Sequence, residues 1–240
     1  MYYPFAKYFL SFFDIIKKRK VLNFIKKENG SKISIFLDVG AHRGESIKIF
    51  KKYFELNKIF AFEPSSENFD KLKNEIKNIK NLKIFNIALG EKSGFIDFKD
   101  HYDSQSSTIV DINENSNYFK KKNFYLNFFS KNKNFYSKSK VKIDRMDNIL
   151  KKENIKNIDL IKIDTEGYDF YVIKGLGEMI KNVKYIYFEH HFHNMLNKNY
   201  TYFEVDKYLR NNNFKKVFKS KMFFRKTLEY IYRNNFYLND

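Results

Sequence analysis

The stretch that most constrains this chain runs from Phe36 to Glu45, Phe-Leu-Asp-Val-Gly-Ala-His-Arg-Gly-Glu. An apolar run from Ile35 to Val39 carries a carboxylate at Asp38 and stops at Gly40. Helical spacing begins at once, with Ile47, Phe50 and Phe54 on one face. That order predicts a buried strand, a tight glycine turn and a helix N-terminus. Gly40 lets backbone approach a ligand closely, and Gly44 allows the turn into the helix. The helix N-terminus offers free N–H groups to a carboxylate or phosphate. The geometry suits a nucleoside ligand.

The next strand sharpens this reading. Ile59-Phe60-Ala61-Phe62 is apolar and ends in Glu63-Pro64. Glu63 lies about 20 residues past Gly44, the spacing at which an acidic residue meets ribose hydroxyls in nucleoside-binding α/β folds. The turn lacks the third glycine of the dinucleotide fingerprint. With Asp38 just ahead of Gly40, it resembles instead the D-x-G-x-x-x-G turn of S-adenosylmethionine (SAM) methyltransferases.

Further along, Ser65 or Ser66 is placed to cap a helix with apolar positions Phe69, Leu72, Ile76 and Ile79. A third strand spans Leu82 to Ile87 and closes at Ala88-Leu89-Gly90. A β-α-β-α-β order complete by Gly90 argues a parallel, doubly wound α/β sheet. The alternation then pauses, and Phe95 to Ile143 reads as an insertion. It holds a short strand, Gly94 to Phe98, and a Ser-rich polar turn in which Ser106, Ser107 and Thr108 are candidates to line a cofactor pocket. An Asn- and Lys-rich stretch, Asn113 to Lys140, reads either as a lid or binding loop or as a plain surface loop. A strand returns at Val141 to Ile143, and Met146 to Ile155 is a short helix with Asp147 as its cap.

Strand and helix resume with Ile158 to Asp164 and a helix bearing Val172, Ile173, Leu176 and Ile180. The strand Val183 to Phe188 follows and ends in Glu189-His190-His191. Thr201 or Tyr202 opens a helix through Leu209, and Phe214 to Phe218 and Leu228 to Tyr232 are close enough to pair antiparallel. The expected organisation is one α/β domain over residues 31–240, interrupted by a small β insertion at about 95–143 and preceded by an amphipathic helical segment over residues 1–30.

Ligands in open α/β sheets bind beyond the carboxyl ends of the strands. Asp38, Glu63, Asp164, Glu166, Glu189 and His190 stand at or just past such ends and should converge on one crevice. A carboxylate at Asp164, closing an apolar strand, is costly without a partner, water or ligand. It is placed to face a cationic group or to hold an acceptor hydroxyl. Glu166 is a candidate to bind or deprotonate an acceptor, and equally a favourable charge at a helix N-terminus. His190 and His191 point to opposite faces of a continuing strand. One of them is a candidate general base, because histidine titrates near neutrality; hydrogen bonding at a strand end is the alternative. No tight ligand spacing points to a metal.

The absence of cysteine excludes disulfides, thiolate zinc sites, iron–sulfur clusters and a cysteine nucleophile. Radical-SAM chemistry and cysteine attack on cytosine C5 go with them. A net charge of +18 invites an anionic partner: nucleic acid, acidic membrane or acidic glycan. The abundance of Lys, Asn, Ile, Phe and Tyr over Ala, Gly and Pro is also what an A+T-rich genome would impose. Tyr2 to Ile25, aromatic and basic, reads as a helix packed on the domain edge or as an interfacial helix on an anionic membrane. Met1 to Leu22 lacks the basic start and uninterrupted apolar core of a secretory signal. No stretch reaches the roughly 20 apolar residues of a membrane span. The expected location is the cytoplasm, with peripheral contact at the inner face of the membrane left open.

Taken together, these segments resemble the FkbM family of SAM-dependent methyltransferases. The resemblance runs, in the family's order, through Asp38-Val39-Gly40-Ala41 with Gly44, Phe62-Glu63-Pro64, Ala88-Leu89-Gly90, Ser106-Ser107 and Met146-Asp147. It continues through Ile161-Lys162-Ile163-Asp164-Thr165-Glu166-Gly167-Tyr168 with Lys174-Gly175, and ends at Phe188-Glu189-His190. His42 stands where the family usually has Asn, and Asn148 replaces the second acid of a typical Leu-Asp-Asp. The resemblance implies a seven-stranded, Rossmann-like class I methyltransferase fold whose last strand is antiparallel. It implies SAM as methyl donor and an O-linked acceptor, a sugar or polyketide hydroxyl. Asp38, Gly40 and Ala41, in the turn that Gly44 closes, would cradle the methionine part of SAM. Glu63 would meet the ribose, Ala88 would lie near the adenine, and a base drawn from Asp164, Glu166 or His190 would take the hydroxyl proton. The leading expectation is O-methylation in the biosynthesis of a bacterial surface glycan or a related metabolite. An RNA methyltransferase is the first rival, favoured by charge and interleaved aromatics and disfavoured by the lack of an Asn/Asp-Pro-Pro-Tyr/Phe tetrad after the strand ending at Asp164. A non-catalytic binding protein on an anionic membrane surface is the second.

Overall fold

The first strand is longer than its apolar run: β1 covers Lys32–Val39. The computed structural model describes residues 18–101, 107–121, 136–222 and 225–237. Before β1 lies a helix, α1, seen over residues 18–29. After β1 come α2 (Glu45–Tyr53), β2 (Glu55–Phe62), α3 (Ser66–Ile76), β3 (Leu82–Phe85), β4 (Ala88–Leu89) and β5 (Gly94–His101). A helix α4 is seen over residues 117–121. The chain continues through β6 (Tyr136–Asp144), α5 (Met146–Lys152), β7 (Ile158–Ile163), α6 (Asp169–Lys174), β8 (Val183–His191), α7 (Tyr202–Asn211), β9 (Phe214–Lys221) and β10 (Thr227–Asn234).

Seven strands form one sheet in the order β3-β2-β1-β7-β8-β10-β9. The pairs β2–β3, β1–β2, β1–β7 and β7–β8 are parallel, and β10 is antiparallel to both β8 and β9. This is the mostly parallel, doubly wound sheet expected, with the last strand reversed. A second sheet, β4-β6-β5, carries the insertion beside the first. Part of the Asn- and Lys-rich stretch, residues 122–135, lies outside the described residues, as do Ser106 and residues 1–17.

Side-chain alternation in the strands builds two cores. In β2, Ile59 and Ala61 join the core under α1, α2 and α3, while Phe60 and Phe62 join the core under α5, α6 and α7. In β8, Tyr185 and Tyr187 take the first side and Ile186 and Phe188 the second. Val21, Leu22 and Ile25 of α1 are buried in the first core, so the described part of the N-terminal segment packs on the domain as an edge helix. Among the described residues no helix is long and apolar enough to cross a membrane. Edge strand β9 carries Lys215, Lys216, Lys219 and Lys221, charges that oppose edge-to-edge association.

Side-chain caps form at α3 and α7. The Ser65 hydroxyl accepts the Asn68 N–H at the start of α3, and Thr201 and Glu204 form a capping box on α7. At α5 the N-cap is Arg145, not Asp147. Asp147 instead takes the Arg145 guanidinium on both carboxylate oxygens, at 3.0 and 2.7 Å. Asn148 donates to Asp144 Oδ1 at 2.9 Å, a bond that a carboxylate at that position could not make. The helix expected through Ile180 is two pieces: α6 stops at Lys174 and a 3-10 segment runs Gly177–Asn182. The chain packs closely at Gly175, where a Cβ would sit 2.1 Å from the Gly90 carbonyl oxygen.

Candidate active site

The face of the sheet that serves the α1–α2–α3 core changes character at the carboxyl ends of its strands. Below, it presents Phe36, Leu160 and Tyr185. Further on, the same alternation places Asp38, Lys162, Glu189 and His191 there, and the antiparallel β10 brings Thr227 and Glu229 beside them from its amino end, all buried. An open cleft of about 230 Å³ sits over these ends. Its wall includes the carboxylates Glu45, Glu63, Asp164, Glu166 and Glu189 against the cations Lys18, Lys162 and Arg225. Acidic side chains outnumber basic ones in this wall although the chain carries a net charge of +18, and burial raises the carboxyl of Glu189 well above its ordinary value, with Asp164, Glu229 and Glu166 pushing the same way.

The glycine turn forms one end. Gly40 has φ +76, and a Cβ there would lie 1.9 Å from the Asp164 carbonyl oxygen, so β1 and β7 approach too closely for any side chain. His42 has φ +50, in the left-handed region where Asn, Asp and His are enriched; His in place of Asn therefore preserves the backbone the turn needs. The N–H groups of Gly40 and Ala41 both donate to the Phe62 carbonyl at 3.0 Å. His42 donates to Glu63 Oε2 at 2.8 Å, Arg43 to Glu45, and Gly44 to the Ala41 carbonyl. The turn's own donors are thus taken within the chain, and the free N–H groups begin in the first turn of α2. Gly40 and Ala41 line the cleft, and Gly44 does not. A Cβ on Gly44 would meet Ile76 at 2.8 Å, so that glycine serves the packing of α2 on α3.

Glu63 stands at the end of β2 with Oε2 on the His42 N–H and Oε1 on the Ser65 N–H at 2.9 Å. Burial pushes its carboxyl up to about 7 against the pull of those two donors. Each oxygen keeps acceptor capacity towards the cleft. Ala88, Leu89, Ile87, Phe62 and Phe98 supply apolar wall beside it. Ser107 also lines the cleft. Its hydroxyl donates to Asp100, which also takes the Ser65 hydroxyl, so the insertion is tied to the turn after β2.

Asp38 lies beneath the cleft, not in its wall: it is 0% exposed. Its Oδ1 is 3.1 Å from Lys162 Nζ, which also reaches Asp164 Oδ2 at 3.5 Å and donates to the Gly40 carbonyl at 3.2 Å. Burial alone would lower the Lys162 ammonium, but the two carboxylates reverse this and hold it above its ordinary value. Lys162 therefore clamps β1, β7 and the glycine turn together. Sequence reading passed over it; its signal was a lysine inside the run Ile161-Lys162-Ile163.

The other end of the cleft is set by Glu166 and the ends of β8 and β10. Glu166 has φ +49, a strained backbone for a non-glycine residue and of the kind that clusters at functional sites. The Thr108 hydroxyl donates to the Glu166 carbonyl at 2.8 Å, and the Tyr200 hydroxyl to the next carbonyl, Gly167, at 2.9 Å. His190 does not join this end. It follows Phe188 onto the α5–α6–α7 side, among Phe192, Tyr200 and Tyr202, with Nε2 3.2 Å from Lys198 Nζ. Burial and Lys198 push its imidazole down to about 3. His191 shares the face of Glu189 instead, and its Nε2 is 3.5 Å from Glu166 Oε2. Met222 and Arg225 of the β9–β10 connection and Lys18 of α1 complete the wall; they come from segments whose sequence carries no site signal.

The profile of the Methyltransferase FkbM domain matches residues 38–216. The chain belongs to the FkbM methyltransferase family. It is similar to 2-O-methyltransferase NoeI of Sinorhizobium fredii (strain NBRC 101917 / NGR234), 22% identical over 172 residues that cover 72% of this chain and 68% of that protein. In fold it is similar to the crystal structure of Methyltransferase FkbM from Methylobacillus flagellatus KT, with a TM-score of 0.52, 14% identity and 83% of this chain covered. The chain spans 43% of that FkbM chain's own length. Magnesium protoporphyrin IX methyltransferase (ChlM) from Synechocystis PCC 6803 with bound SAM is similar at a TM-score of 0.51 and 7% identity, over 90% of this chain and 77% of that one. This family member is a SAM-dependent methyltransferase. The cleft fits that cofactor by its donor set: the side-chain oxygens of Glu45, Asp164 and Glu166, with Glu63 at the other end, suit a ligand bearing a sulfonium, an ammonium group and hydroxyls. Among the described residues no group of three or more His, Asp or Glu is arranged to hold a metal.

Proposed function

We propose that this methyltransferase is an O-methyltransferase acting on a sugar hydroxyl of a bacterial surface glycan or a related metabolite, in the cytoplasm. One observation carries the reading: a carboxylate on strained backbone, Glu166, stands at the open end of an acidic cleft whose other end holds the nucleoside-type carboxylate Glu63. The name of the relative NoeI, a 2-O-methyltransferase, supports oxygen as the acceptor atom. Residues 31–240 form the methyltransferase domain in this reading, and the helix over residues 18–29 packs on its edge.

Gly40 and Ala41 would hold the methionine part of SAM, Glu63 the ribose, and Ala88 the adenine edge, with Ser107 on the same wall. Bound SAM supplies a methyl group on a cationic sulfur, and the acceptor oxygen forms its bond to that carbon as the carbon–sulfur bond breaks. Asp164, fixed by Lys162, would orient the acceptor hydroxyl. Glu166 would take its proton and pass it to solvent at the cleft mouth. Catalysis would come mainly from alignment of the acceptor with a general-base contribution. Asp38 acts beneath the site by holding Lys162.

Calorimetry of SAM on the wild type and on Glu63→Ala tests the cofactor half. Micromolar binding that is lost in the variant supports it, and no binding to well-folded wild type overturns it. A panel of nucleotide-sugars and oligosaccharides, read by S-adenosylhomocysteine production, tests the acceptor. The net charge of +18 favours a second acceptor class, RNA. That reading requires RNA binding that weakens steeply with salt and methyl transfer to RNA in the same assay.

A further inference from the structure

Where the carboxyl end of β8 meets the amino end of the antiparallel β10, a buried histidine faces the catalytic end of the cleft without belonging to its wall. His191 is 6% exposed and Thr227, its direct partner across the antiparallel pair, is 1% exposed. Thr227 Oγ1 lies 3.1 Å from His191 Nδ1. On the far side of the ring, Nε2 is buried, has no hydrogen-bond partner within bonding range, and points to Glu166 Oε2 at 3.5 Å. The ring also packs on His193 at 5.2 Å, and His193 stacks on Tyr118 at 4.2 Å, so it has little freedom to turn. Lys198 donates to the His191 carbonyl and fixes the strand end.

The chemistry leaves one arrangement. A carboxylate only accepts, so the nitrogen that faces Glu166 must carry the proton. A neutral imidazole has one N–H, so Nδ1 must accept, and the rotatable Thr227 hydroxyl is the donor it meets. We propose that Thr227 and His191 form a buried relay, Thr227 O–H to Nδ1 and Nε2–H to Glu166, that positions the Glu166 carboxylate for its work on the acceptor. His191 is a positioning residue here, and the role of Glu166 as base rests on the methyl-transfer reading above. The groups around the ring agree with a neutral imidazole: burial, His193, Lys198, His190 and Arg225 all push its protonation down, well below the ordinary histidine value. Glu166 is the carboxylate at its edge, with Glu189 and Glu229 two residues further down the same face of β8 and β10. The long 3.5 Å contact is of the kind that tightens when an acceptor arrives.

The test uses the full chain labelled with 15N-histidine and free of SAM. Long-range 1H–15N spectra show five histidines, and His191→Asn assigns the signal of interest. The relay requires the Nε2–H tautomer and an imidazole that stays neutral from pH 8 down to pH 5. An Nδ1–H tautomer, or titration at the ordinary value of about 6.5, overturns it. Thr227→Val should mix the tautomers and lower kcat by up to about 10²-fold, the cost of a misplaced catalytic group, with SAM affinity unchanged. Thr227→Ser should restore both. Unchanged spectra and kcat in Thr227→Val would also overturn it. Failure of wild-type protein to bind SAM would sink the methyl-transfer reading while leaving the spectroscopic answer intact, so the two failures are distinguishable.

Discussion

The two ends of the cleft are built by different means. The end assigned to the cofactor comes mainly from one contiguous β-α-β stretch, β1 through the turn after β2, with Ala88 and Ser107 added from beyond it, and its geometry is largely backbone: the Gly40 turn, the shared Phe62 carbonyl and the N–H groups that hold Glu63. The end assigned to the acceptor is assembled from Glu166, His191, Thr227, Thr108 and the β9–β10 connection, and its geometry is set by side chains, on one another and, for Thr108, on the Glu166 carbonyl. A backbone-built end should fail as a unit when its close approach is broken. A side-chain-built end should lose turnover piece by piece while the fold and cofactor affinity survive.

The largest effect should fall where the two ends meet. Gly40→Ala forces a Cβ onto the Asp164 carbonyl at φ +76 and should cost about 4 kcal/mol or more. Gly30→Ala, with the same φ and open space around it, should cost only about 1–2 kcal/mol; denaturant melts of the pair separate steric clash from backbone strain. Next is Lys162→Met, which leaves Asp38 buried without its cation and should cost about 3–5 kcal/mol, again read by denaturation. Glu166→Gln should leave stability and SAM affinity near wild type and lower kcat about 10²-fold or more. A large loss of SAM affinity in that variant would break the division between the two ends. Glu63→Gln should do the reverse, weakening SAM about 10- to 100-fold by calorimetry for the loss of a charged acceptor.

The mildest effect is on pH. Glu63 in the folded protein titrates near 7, above the ordinary carboxylate, and ribose hydroxyls donate best to its ionised form. SAM affinity should therefore rise with pH through about 7 and fall below it, by at most tenfold per unit. Calorimetry across pH 5.5–8.5 on wild type and Glu63→Gln checks this; the variant should be flat. The sign for stability is opposite. A carboxyl raised on folding adds stability below its unfolded value, and that contribution is lost as pH rises through about 7.

The same comparison explains what was legible. Asp38, Gly40, Glu63 and Asp164 could be read because strand periodicity, a glycine and a strand-end carboxylate sit within a few residues of one another, and local sterics fix their relation. Even there, local reading erred in detail. Gly44, a candidate for the cofactor turn, packs α2 on α3, and Asp38, expected at the crevice, lies beneath it and holds Lys162.

At the other end, sequence parity already placed His190 and His191 on opposite faces of β8, but not which face opens on the cleft. That depends on α7, Tyr200 and Tyr202 covering one side, and on β10 inserting beside β8 to bring Thr227 against His191. The order of elements and the doubly wound sheet were determined by the chain itself, because each rests on short-range periodicity and on the rules of right-handed crossover; the reversed last strand was what the family resemblance implied. The burial of Lys162, the choice of His191 over His190 and the part of Met222, Arg225 and Lys18 in the wall were decided by the tertiary structure alone. Each is a contact between residues far apart in sequence, and no local pattern records which distant strand end will stand beside which.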